Sequence, residues 1–151
     1  MTSGNVSARV IGRRLKMIED LLRQIRALPL DSPAVFLADS KNYPVAESCL
    51  RRCLEALLDI GRHILAKGYG AAVSEYKDIP KLLQKHAALA EDESHTLHIL
   101  AGYRNRMVHF YYEVSEEELY RICAQELGDI ERITDAYRRW VKQHPDKMEQ
   151  A

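Results

Sequence analysis

The stretch "VSEEELYRICAQELGDIERITDAYRRW", residues 114 to 140, decides the fold class. Ser115 carries the hydroxyl an N-cap needs, Glu118 completes a capping box three residues on, and Val114 is placed to staple onto Leu119. Behind that start, Leu119, Ile122, Ile130, Ile133, Tyr137 and Trp140 recur at helical spacing, and Pro145 marks the end. The pattern predicts one long amphipathic helix with a single buried face.

The same signature recurs upstream. Ile11, Leu15, Ile18, Leu22 and Ile25 step by four and three, giving one apolar stripe. "PLDSP" (29–33) interrupts it with two prolines. A second helix is expected from near Pro44, carrying Leu50, Leu54, Leu57, Leu58, Ile64 and Leu65. Gly68 within "KGYG" is its expected stop. A short helix should follow Asp78, with Pro80 in its first turn and Leu82 and Leu83 inward. A fourth long helix runs from about Glu91 through Leu97, Leu100, Met107 and Val108. "HFYYEV" (109–114) has strand-like composition, but nothing else in the chain is suited to pair with it. The expected fold is all-α, an antiparallel bundle of four long helices plus a short one, in a single domain over residues 1–151.

Composition excludes several function classes. Lys and Arg total 22, as do Asp and Glu, so no global basic field draws in nucleic acid. Any such contact must be local. No run approaches the roughly 18 apolar residues of a membrane span, and the first residues lack a signal peptide's apolar core. Three cysteines, Cys49, Cys53 and Cys123, make a disulfide framework a poor reading and favour a reducing cytoplasm.

Against this ordinary helical background, "AGYRNRMVHFYYEV" (101–114) stands apart, with two arginines, an asparagine, a histidine and two adjacent tyrosines near its end. Arginine offers a permanently charged fork matched to phosphate oxygens, and histidine passes protons near neutral pH. Together they suffice to cleave RNA without a metal. The bland reading makes Arg104 and Arg106 solvated helix arginines and His109 a cation at a helix C-terminus.

"RNRMVHFY" resembles the R-x-x-x-x-H-x-Y motif of the HepT family within the HEPN superfamily. "LRRCLEALLDIGRHILAKGYG" is similar to that family's second helix and "VSEEELYRICAQELGDIERI" to its last, so the resemblance spans roughly residues 13–141. It implies a toxin of a toxin–antitoxin pair, acting as a metal-independent endoribonuclease without a cofactor. The implied partner is an MntA-type nucleotidyltransferase that silences the toxin by AMPylation. Carried over by position, Arg104 and His109 are the catalytic pair and Asn105 is their polar neighbour. Tyr111 is the AMP acceptor, with Tyr112 directly beside it as the alternative, and Arg106 is a further RNA contact. A non-catalytic HEPN partner that binds and regulates the nucleotidyltransferase is the competing reading.

At about 100° per residue, Arg104 and Tyr111 share a stripe while His109 lies about 140° round from Arg104. Either the helix ends near His109, or a second subunit completes the site. The family's homodimer would supply the latter. Glu91, His95 and His98 fall on successive turns and could hold a divalent metal, though exposed histidines beside acids are commoner. Cys49 and Cys53 read as buried small residues rather than ligands. The pairs Arg13–Arg14, Arg51–Arg52 and Arg138–Arg139 read as solvated or as flanks of an RNA groove.

Overall fold

The computed structural model describes residues 4–109 and 114–150. Among the described residues seven α-helices run in order: α1 (Ala8–Arg26), α2 (Pro33–Ala38), α3 (Asn42–Tyr69), α4 (Ile79–Lys85), α5 (Glu91–Val108), α6 (Glu116–Gln125) and α7 (Leu127–Gln143). They form an all-α bundle.

α3 is its axis. Its 28 residues bury apolar side chains on nearly every side, from Ala46 and Leu50 through Leu57, Leu58 and Ile64 to Leu65. A helix with so wide an apolar surface needs several neighbours, and α3 packs against all six other helices. α1 lays its stripe of Ile11, Leu15, Ile18, Leu22 and Ile25 along it. Cys49, Cys53 and Cys123 are buried free thiols in this core, and burial pushes the Cys53 and Cys123 thiols up to about 12.

Three details depart from the sequence reading. The "PLDSP" break holds a helix of its own: the Ser32 hydroxyl accepts from the Val35 amide at 3.2 Å, and Pro33 opens α2. Gly70 ends α3, not Gly68. Gly70 takes φ 64, the left-handed conformation of a C-terminal stop, and the next amide, of Ala71, donates to the Leu65 carbonyl at 2.9 Å. Gly68 stays helical, and its bare backbone faces Val6 and Trp140, which a carbon added there would meet at 3.3 and 3.5 Å.

The long C-terminal helix is two helices. Ser115 caps α6 as expected, accepting from the Glu118 amide at 3.1 Å. At Glu126 the backbone leaves helical geometry, with φ −119 and ψ 6. The Glu126 carboxylate accepts from the Tyr103 hydroxyl at 2.8 Å and pairs with Arg121, and Gly128 lowers helix propensity just beyond. The break lets α6 pack on α2 and α3 while α7 packs on α5 and α3.

The chain enters and leaves on one side. Val6 donates to the Lys147 carbonyl at 3.0 Å and its carbonyl accepts from Glu149 at 2.8 Å. Beside this strap, the Trp140 indole N–H donates to the Tyr69 hydroxyl at 3.1 Å, and His144 and His86 stack on the two rings.

Candidate functional site

One helix face begins the site. Glu55, Asp59 and Arg62 lie four and three residues apart on α3, so their side chains leave the same face. The C-terminal half of α5 lies across that face, and the segment after Gly70 returns over both as a 3-10 turn at Tyr76–Asp78. Between them opens a cleft of about 450 Å³, lined chiefly by Arg62, Tyr76, Lys77, Arg104, Asn105 and His109.

Arg104 is held on three sides. Its Nε and Nη2 donate to the same Glu55 oxygen, at 3.0 and 2.9 Å. Nη1 donates to the Asn105 Oδ1 at 3.2 Å, and the guanidinium carbon lies 4.6 Å from the centre of the Tyr76 ring. The Tyr76 hydroxyl donates to Asp59 at 2.7 Å, and burial together with that bond pushes the phenol up to about 12. Arg14 and Arg62 face the same Asp59 carboxylate at 3.3 and 3.5 Å. Arg62 and Arg104 are thus each held by an acid and by the Tyr76 ring while lining the cleft.

His109 is where α5 stops. Its amide still donates to the Asn105 carbonyl at 3.0 Å, but its backbone, at φ −94 and ψ 82, has left the helix. Arg104, Asn105 and His109 line a common cleft within one chain, so no second subunit is needed to bring them together. The homodimer expectation then stands on the resemblance alone.

The remaining candidates fall elsewhere. Arg106 pairs with Glu118 of α6 and does not line the cleft. Tyr111 and Tyr112 lie outside the described residues, and so does most of "HFYYEV". The Tyr43 hydroxyl donates to the Val114 carbonyl at 3.0 Å, tying the start of α6 to α3. Glu91, His95 and His98 border a separate depression beside α4, and among the described residues no three His, Cys, Asp or Glu side chains are grouped to hold a metal. Of the arginine pairs, Arg14, Arg51, Arg138 and Arg139 each engage an acid. Glu55, Asp59, Arg62 and Tyr76 escaped the sequence reading. Only the helical spacing of the first three hinted at them, and that spacing equally fits a solvated face.

Known proteins resemble both the chain and the fold. A family model described as Ribonuclease HepT-like matches residues 16–137. The mRNA nuclease HepT of Shewanella oneidensis is 28% identical over 89 residues, which cover 59% of this chain and 67% of that protein. A tri-AMPylated HEPN toxin of Shewanella oneidensis, solved in complex with an MNT antitoxin, superposes with a TM-score of 0.77. It is 24% identical, and the match covers 86% of this chain and 97% of that one. YutE of Bacillus subtilis, a cytosolic protein of unknown function, superposes at 0.76 with 20% identity, covering 93% and 94%. The two superpositions establish a shared fold, and the family match extends over most of the sequence. The chain belongs to the ribonuclease HepT-like family.

Proposed function

We propose that the protein is a metal-independent endoribonuclease, the toxin of a HEPN/MNT toxin–antitoxin pair, working in the cytoplasm as a homodimer. The observation that carries this reading is the meeting of Arg104, Asn105 and His109 in one cleft. Arg104 presents a guanidinium oriented by Glu55 and Asn105, suited to a phosphate and to the extra charge of a pentavalent transition state. His109, on the exposed rim, is suited to proton transfer. The ribose 2′-oxygen loses its proton and bonds to phosphorus, the 5′-oxygen leaves and gains a proton, and the products end in a 2′,3′-cyclic phosphate and a 5′-hydroxyl. The resemblance of this chain to the mRNA nuclease HepT supports the substrate class.

Silencing follows the same chemistry. Tyr111 is two residues beyond His109, and an MntA-type nucleotidyltransferase that transfers AMP from ATP to its hydroxyl, releasing pyrophosphate, adds a negative phosphodiester close in sequence to His109. Charge and bulk both oppose RNA there, and Arg104 has an alternative phosphate to pair with. The AMPylated state of the structurally similar Shewanella oneidensis toxin supports this reading.

The test is cleavage of single-stranded RNA by purified protein in a metal chelator, with Arg104→Ala and His109→Ala as controls. Cyclic-phosphate ends that persist in chelator and vanish in both variants are expected. Wild-type-like cleavage by a folded His109→Ala protein overturns the ribonuclease assignment. Tyr111→Phe is expected to cleave RNA yet escape neutralisation by the nucleotidyltransferase, whereas Tyr112→Phe stays neutralisable. AMP mapped to Tyr112 reverses the acceptor assignment.

A further inference from the structure

The cleft holds a second guanidinium that the motif does not include. Arg62 comes from α3, and its guanidinium carbon lies 4.7 Å from the centre of the same Tyr76 ring that Arg104 approaches to 4.6 Å. The two cations share one aromatic support, at most about two ring-contact distances apart.

Arg62 is less fully engaged than Arg104. Its contacts are long, 3.5 Å to Asp59 and 3.3 Å to the Ser74 carbonyl, and its Nε is buried without a hydrogen-bond partner. Asp59 cannot neutralise it alone, because that carboxylate also faces Arg14 and accepts from Tyr76. Lys77, on the same wall, pairs at 3.4 Å with Glu75, an exposed acid that also lines the cleft. A guanidinium fixed in a polar cleft with weak acid contacts is a site for an anion.

We propose that Arg62 is a second phosphate subsite, binding the backbone phosphate next to the one that Arg104 holds, with Tyr76 as the spacer that sets their separation. The inference rests on the ribonuclease reading and adds a substrate requirement: at least two consecutive phosphates on one flexible strand. Paired RNA holds its phosphates in A-form geometry, whereas a single strand can adapt its spacing to the two guanidiniums.

Two measurements test it on the full chain. The first compares kcat/KM for a dinucleoside monophosphate, with one phosphate, and a trinucleotide, with two. Wild type is expected to favour the trinucleotide by about tenfold or more, the scale of one charge-assisted contact. In Arg62→Gln that ratio falls towards one, and in Arg62→Lys it is partly restored. A folding defect scales both substrates alike and leaves the ratio unchanged. The second measures Kd for a single-stranded oligonucleotide carrying a 2′-deoxy sugar at the cleavage position, across salt concentrations. Loss of one phosphate contact lowers the slope of log Kd against log salt by about 0.7. An unchanged ratio together with an unchanged slope overturns the subsite. A wild-type protein that cleaves no RNA at all overturns the ribonuclease reading instead, so the two failures are distinct.

Discussion

Two aromatic–cation clusters in this molecule are built from the same parts and serve different ends. In one, Tyr69 stacks with His86 at 4.6 Å, carries the Lys147 ammonium at 4.6 Å over its ring, and accepts from the indole of Trp140. In the other, Tyr76 carries two guanidiniums and donates to Asp59. The first lies beside the strap through Val6 and Lys147, its central side chain, Trp140, is buried, and Trp140 and His144 border a depression of about 400 Å³. The second opens onto the cleft. Cations on tyrosine faces therefore do not mark a binding site. What sets the second apart is donors left incompletely matched, those of Arg62 above all.

The comparison can be broken at several points. Trp140→Ala should cost about 3–5 kcal/mol of stability, read from urea unfolding, as for other large buried aromatics. Cleavage per folded molecule should be unchanged, and a loss would show that the two clusters are coupled. Arg104→Ala should lower kcat/KM by about a hundredfold or more, equal to roughly 2.7 kcal/mol of barrier, with little change in the unfolding midpoint. Glu55→Gln keeps the side chain's size but removes the charge that orients Arg104. About tenfold is expected in kcat, short of the hundredfold that a misplacement of about 1 Å can cost. A change in KM alone would mean that Glu55 acts on binding and not on orientation.

The smallest effect concerns His63. Its Nε2 accepts from the Ser7 amide at 2.9 Å, and burial holds its pKa below the ordinary histidine value. The unfolded chain therefore takes up the proton first as pH falls. Stability is fully present above about pH 6.5 and declines on acidification below it, and His63→Gln should flatten that decline in denaturation midpoints.

Much of the frame was legible because helix stripes and caps are local signals. The α1 stripe, the Ser115 cap and Pro80 at the start of α4 all appear where spacing predicts them. The site was half legible. Arg104, Asn105 and His109 lie within six residues, and their chemistry is visible in their types. Their supports are distant in sequence: Glu55 is 49 residues from Arg104, and Tyr76 joins Asp59 and Arg104 only once the segment after Gly70 folds back. The break at Glu126 was hidden for a related reason. Tyr103, which holds that carboxylate, belongs to another helix. Ser32 and Pro33, by contrast, were a readable start signal for α2 within a stretch read only as a break.

Gly61 sits beside Arg62 on α3, and a carbon added there would meet Ile79 and Leu83 of α4 at 2.8 and 2.9 Å and the Tyr137 hydroxyl at 2.8 Å. The turn bearing Tyr76 runs directly into α4, so one wall of the cleft is mounted on the helix that rests against this bare backbone. A single methyl at Gly61 would push that wall away from the guanidiniums without touching any charged group. Packing alone can therefore move one wall of the cleft while Arg104, Asn105 and His109 all stay in place.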